Sequence, residues 1–167
     1  MRVEYTPECL DALREQEEIL RFERFGAVEA LSLGNIIAEL ALEYDRGVSA
    51  AIIREADSLT LFAYSMDDKA PRNFTFIDGK RKTAVACGHC SLWAYVEHEL
   101  NGAWEKLFNQ SPPYILSGGA FPIRVQDAWT ATLAVSGLHN GKDHELVVRA
   151  LSRMLGRTVP DFPGVMV

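Results

Sequence analysis

The order of helical and extended patterns along the chain predicts an α+β fold, an antiparallel sheet of about five strands with helices packed on it. Three observations carry that expectation. First, VSAAIIR (48–54) and LTLFAYS (59–65) are β-rich runs joined by Glu55-Ala56-Asp57-Ser58, which reads as an antiparallel hairpin with a four-residue loop. Second, SGGAFPIRVQDAWTATLAVSG (117–137) is a glycine loop feeding a strand pair, with a Ser-Gly turn at its far end. Third, segments with helical apolar spacing precede the hairpin, separate it from the strand pair and close the chain.

Taken in order, Thr6-Pro7 followed by Glu8 is a helix start, with Thr as N-cap and Pro at the first helical position. Leu10, Leu13, Ile19, Leu20 and Phe22 carry that helix to about Phe25, and its acids leave one face solvated. It is either an extension packed on the rest of the chain or a helix that binds a partner. Gly26 breaks the pattern before Ala30, Leu33, Ile36, Ile37, Leu40, Ala41 and Tyr44, a second helix ended by Asp45-Arg46-Gly47. After the hairpin, residues 66–73 are polar, contain Pro71 and read as a loop. One long helix is expected over 74–100, with Arg81, Ala84, Val85, Gly88, Leu92, Tyr95 and Val96 on one face and Gly88 marking close approach to the sheet. A short helical piece spans 103–109, and Ser111-Pro112-Pro113 stops it. Strands follow at 121–125 and 129–135, with room for a third near the glycines. Gly141 leads into a last helix carrying Leu146, Val147, Ala150, Leu151, Met154 and Leu155, and Gly156 ends it. The tail VPDFPGVMV is loose or docked on a neighbouring subunit. The organisation expected is an N-terminal helical extension (1–25), an α+β domain (26–156) and a tail (157–167).

Composition bounds the function. The chain has 167 residues, a net charge of −6 and pI near 5.2, with no basic run, so nucleic acid is not an expected partner. No apolar stretch approaches the roughly 20 residues of a membrane span, and no signal-peptide core is visible, which points to a cytoplasmic protein. Cys9, Cys87 and Cys90 make an odd count, against a disulfide framework.

Candidate chemistry is sparse. Cys87-Gly88-His89-Cys90 has the spacing of a thiol-disulfide motif, but it is expected inside the long helix, where His89 points away from Cys87. No metal site is expected there. His139, Asp143 and His144 cluster at the start of the last helix, where Asn140 can cap and Asp143 complements the helix dipole. Free amides at that start, together with Gly118-Gly119, would also make an anion-binding hollow for a carboxylate or propionate. Arg81 and Lys82 form the nearest thing to a basic pair. No nucleophile elbow, P-loop, dinucleotide fingerprint or metalloprotease motif is present.

Arg81-Lys82-Thr83, Gly88-His89-Cys90-Ser91, Gly118-Gly119-Ala120-Phe121-Pro122-Ile123, Val135-Ser136-Gly137-Leu138 and Asp143-His144 together resemble the haem-binding or haem-degrading-domain superfamily, in its short cytoplasmic branch. The resemblance implies a profilin-like α+β sandwich, assembly into dimers or larger rings, and binding of haem, another tetrapyrrole or an anionic ligand. It implies ligand-binding positions at Arg81, Lys82, His89, Gly118, Gly119, Phe121, Pro122, Ser136, Gly137, His139, Asp143 and His144. Ser117 stands where that branch usually carries His, which removes an iron ligand or acid–base group from that position. Cys90 stands where it usually has a small hydroxyl residue. An alternative is a structural or adaptor protein with the acidic N-terminal helix as docking surface. A third reading, an enzyme using Cys87 and Cys90, requires a thiol of depressed pKa.

Overall fold

A computed structural model describes residues 4–109 and 114–167. The elements are α1 (Pro7–Ile19), α2 (Ala27–Ala41), β1 (Ser49–Arg54), β2 (Thr60–Ser65), α3 (Arg72–Cys87), α4 (Ser91–Asn101), α5 (Glu105–Phe108), β3 (Ala120–Val125), β4 (Ala128–Ser136) and α6 (Lys142–Leu155). Among the described residues the sheet has four strands in the order β2-β1-β4-β3, each pair antiparallel.

Strand alternation assigns the two faces. On one, Ala50 and Ile52 of β1, Phe121 and Ile123 of β3, and Leu133 and Val135 of β4 form the main core with Leu33 and Ile37 of α2 and Leu146 and Leu151 of α6. On the other, Ala51, Ala134 and Ala120 stand side by side across β1, β4 and β3. This row of methyl groups packs against Ile77 and Ala84 and lets α3 lie low over the sheet.

The α+β class stands, with one strand fewer than expected. No strand forms beside the glycines because the backbone there bonds elsewhere. Ile115 N donates to Gly79 O on α3, and Gly118 N donates to Val167 O in the tail. The long helix is also corrected: it is two helices meeting at an elbow. Gly88 ends α3 in the left-handed conformation at φ 77°, and Cys90, extended, is the N-cap of α4. A Cβ on Gly88 would meet nothing within 4 Å, so this glycine serves the cap rather than a close approach to the sheet. Helix α1 stops at Ile19 rather than near Phe25. Phe22 instead forms a parallel bridge beside β3, its N donating to Arg124 O at 2.8 Å. Ser111, Pro112 and Pro113 lie outside the described residues.

The tail docks on its own chain. Gln16 Nε2 donates to Pro160 O at 2.9 Å and Tyr5 OH to Val165 O at 2.7 Å. Met166 crosses the start of α6 against Gly141, whose φ of 67° and missing side chain both suit the crossing. Gly141, not Asn140, is the N-cap of α6, and no side chain caps that end. Among the described residues no helix is long and apolar enough to cross a membrane.

Gly141→Ala is therefore expected to destabilise the protein by at least the ~1–2 kcal/mol of a left-handed non-glycine residue, because its Cβ would overlap the Met166 backbone. Thermal denaturation should show the loss, and limited proteolysis should cleave the released tail faster than in the parent.

Candidate functional site

Helix α3 carries a charge on its sheet-facing side. Ile77, Lys80 and Ala84 recur at helical spacing, and Lys80 is 3% exposed. Its ammonium donates to Val135 O and to Asp143 Oδ2, both at 2.9 Å, while Asp143 Oδ1 accepts from Leu138 N at 3.0 Å. The pair bolts α3 to the end of β4 and to the turn that launches α6. Gly119, at φ 132°, sits against it: an added Cβ would lie 3.0 Å from Lys80 Nζ and 3.1 Å from Asp143 Cβ. Next to it, Gly118 faces the His144 Cβ and Val167 O. The space expected between the glycine pair and the α6 amides is thus filled by the chain's own side chains and tail.

Open space lies on the other side of the Lys80–Asp143 pair. A hollow of about 400 Å³ is bounded by the α2–β1 turn, the β2–α3 loop, the first turns of α3 and the β4–α6 turn. Arg46, Lys69, Arg72 and Lys80 line it, as do Asp68, Asp143, Ser117, Ser136 and Gly137, with Phe76, Ile115 and Leu138 as its apolar lining. Asn73 Nδ2 donates to Ser136 Oγ at 3.3 Å and Asn73 Oδ1 accepts from Ala70 N at 3.1 Å, fixing the loop into α3. The Lys69 side chain is 9% exposed, with Nζ 3.4 Å from Gly137 O and 3.6 Å from Asp68 Oδ2. Asp68 accepts from Gly47 N at 3.1 Å, and that bond holds its carboxyl below the usual range.

The pairing of arginines sets this hollow apart. Arg14, Arg21, Arg24, Arg54, Arg81, Arg124, Arg149 and Arg153 each have a carboxylate partner, and Arg157 donates to the carbonyls of Ile19 and Arg21. Among the described residues, Arg46 and Arg72 are the arginines with neither a carboxylate nor a carbonyl partner, and both stand at this hollow.

Arg81 and Lys82 point elsewhere. They border a cleft of about 490 Å³ with Glu55, Val85, Ala86, Tyr114 and Trp129. Arg81 grips Glu55 through two hydrogen bonds of 2.8 and 3.0 Å, and Lys82 pairs with Asp78 at 3.0 Å. His89 lies at the elbow, stacked on Trp93 at 3.9 Å, its Nδ1 3.2 Å from the buried Glu17 carboxylate. His144 is fully buried. Its Nε2 meets Gln16 Oε1 at 2.9 Å, Nδ1 has no partner among the described residues, and burial pushes the imidazole down to about 4. His139 is exposed in the β4–α6 turn, whereas Phe121 and Pro122 are buried in β3. The site residues that the structure brings to the hollow are Ser136, Gly137 and Asp143, with Gly119 against the ion pair and Gly118 facing His144 and the tail.

The Cys87–Cys90 segment spans the elbow rather than a helix interior, yet it lacks the activated thiol that exchange chemistry needs. Burial pushes Cys87 up to about 12 and Cys90 well above its ordinary value. Sequence reasoning missed Arg46, Lys69, Arg72, Lys80, Tyr114 and Trp129 as lining groups. One signal was available: a lysine on the apolar face of an amphipathic helix calls for a buried acid.

The sequence pattern of the family described as "Haem degrading protein HbpS-like" matches residues 25–152. The chain belongs to that family. A UPF0303 protein of Streptomyces coelicolor is 33% identical over 147 residues, covering 86% of this chain and 92% of the relative. One from Psychromonas ingrahamii is 34% identical over 161 residues, covering 93% and 96%. Of solved structures, that of the Ybr137w protein superimposes with a TM-score of 0.79 at 27% identity, covering 90% of each chain. A PduOC–haem complex superimposes with a TM-score of 0.65 at 17% identity, covering 82% of this chain and 96% of the other, which establishes shared fold.

Breaking the ion pair tests its place in the HbpS-like fold. Lys80→Met or Asp143→Asn alone should lose about 3–5 kcal/mol in urea unfolding, since each strands a buried partner. The double replacement Lys80→Met with Asp143→Asn should lose less than the two single losses combined.

Proposed function

We propose that this HbpS-like protein binds a small anionic ligand in the hollow between the start of α3 and the β4–α6 turn. The observation that carries this reading is that Arg46 and Arg72, alone among the described arginines, have neither a carboxylate nor a carbonyl partner, in a chain of net charge −6. Guanidinium forks match carboxylate and phosphate oxygens, and the hollow has the size of an ordinary small-molecule pocket. Ser136, Gly137 and Asp143 line it, and Gly119 lies against the ion pair that borders it. Self-association belongs to the same reading, supported by Val28, Leu31 and Leu42, which leave apolar surface exposed on and just after α2.

Calorimetric titration with phenylacetate, phenyl sulfate and phenyl phosphate tests the reading, and native mass spectrometry of the same samples reports subunit number. Reversing both charges, Arg46→Glu with Arg72→Glu, should weaken whichever anion binds by about 100-fold or more, given two charge-assisted contacts. Lys142→Glu, an exposed change on α6 outside the hollow's lining, should leave it unchanged. Equal affinity in the Arg46/Arg72 variant would remove the site.

A second reading rests on the cleft beside α3. Haem suits its lining better than it suits the hollow, whose lining offers no histidine, cysteine, methionine or tyrosine. In the cleft, Tyr114 would supply the iron ligand, Trp129, Val85 and Ala86 the apolar wall, and Arg81 and Lys82 the cations for propionates. Bound haem would supply iron-centred redox or oxygen chemistry. His89 and His144 line neither space. Titration with haem should therefore give a Soret shift abolished by Tyr114→Phe and retained after replacing each histidine. The opposite pattern would discard the cleft.

A further inference from the structure

We infer that the ligand of the hollow is an organic dianion, a compound whose doubly charged head bridges Arg46 and Arg72 and whose carbon body lies on the apolar wall. The inference rests on the anion-binding reading above and sharpens it by charge count. Lys80 is neutralised by Asp143 at 2.9 Å. Lys69 shares Asp68 at 3.6 Å. Arg46 and Arg72 remain, two full positive charges without an acid among the described residues. A monoanion would leave one of them unmatched, whereas a phosphate monoester or a dicarboxylate neutralises both.

The two arginines come from different segments, Arg46 from the α2–β1 turn and Arg72 from the first residue of α3. Gly47 N donates to Asp68 Oδ2 at 3.1 Å, tying the turn to the loop that leads into α3. Asn73 ties the start of α3 to Ser136 at 3.3 Å. The backbones that carry the guanidinium groups are therefore fixed relative to one another, and only the side chains need to order on binding. This limits the entropy lost when the ligand is held. Phe76, 39% exposed, together with Ile115 and Leu138 gives the same space an apolar side that a bare inorganic ion would leave uncovered.

Phenyl phosphate and phenyl sulfate isolate the charge, because they share shape and differ in carrying two negative charges or one at about pH 8, above the second phosphate ionisation near 6. Calorimetry at constant ionic strength should find phenyl phosphate about ten-fold or more tighter than phenyl sulfate. Inorganic phosphate should bind more weakly than phenyl phosphate. In Arg46→Gln with Arg72→Gln, replacements of exposed and unpaired side chains, the preference for phosphate over sulfate should collapse toward parity. Equal affinity for the two esters in the parent protein would overturn the dianion assignment and leave the anion-binding reading standing. Binding of neither ester would overturn both. Inorganic phosphate bound as tightly as phenyl phosphate would overturn the organic body.

Discussion

A lysine ammonium and an aspartate carboxylate, both removed from water, meet at 2.9 Å where α3 crosses the end of β4, and the placement of everything around the hollow follows from them. Taking two charges out of water is unfavourable unless their remaining donors and acceptors are filled. Here Val135 O takes a second proton of Lys80 and Leu138 N fills the other oxygen of Asp143. These bonds require α3 to lie close over the sheet, which the row of Ala51, Ala134 and Ala120 permits, and they require position 119 to carry no side chain. The pair also lines the hollow, so that in the proposed anion-binding reading the positive charge left for a ligand there is that of Arg46 and Arg72.

A second buried carboxylate organises the opposite end of α3. Glu17 of α1 receives Arg124 Nη1 at 3.0 Å and His89 Nδ1 at 3.2 Å, and Arg124 Nη2 donates to Gly88 O at 3.1 Å. Helix α1, strand β3 and the α3–α4 elbow are thus joined by one polar cluster, packed under the Trp93 and Trp129 rings through His89, Arg14 and Arg124. His89 is accounted for by this structural role. Its imidazole orients the elbow, and neither open space borders it.

The elements legible in the sequence were those whose signals are local. The β1–β2 hairpin, α2, the β3–β4 pair and α6 follow from periodicity and turn residues, and the haem-degrading family follows from the ordered set of short motifs. The break at Gly88 was not legible, because apolar spacing runs through it from Ala84 to Leu92 and Val96, and a glycine within such a pattern is compatible with a continuous helix. The missing strand before Gly118 and the early end of α1 depend on bonds to the distant Val167, Gly79 and Arg124, which no local window contains. The same holds for the site. Ser136, Gly137 and Asp143 were marked by the turn they form, but Arg46, Lys69 and Arg72 read as ordinary turn and loop residues. What distinguishes the two arginines is that the other described arginines have side-chain or carbonyl partners, a property of the folded chain rather than of any local window.

If the hollow binds an anion as proposed, charge gives it selectivity through short range rather than long. The chain carries a net charge of −6, so an approaching anion meets on average a repulsive field, screened beyond the roughly 8 Å Debye length of physiological salt. In the anion-binding reading proposed above, attraction would come from Arg46 and Arg72, which stand at the hollow without acids. Such an arrangement would do little for encounter rate and would place discrimination in how long a matched ligand stays, since two guanidinium forks must be released together. In the dianion reading proposed above, a small monoanion would engage one fork and leave sooner than a dianion whose head engages both and whose carbon body covers Phe76.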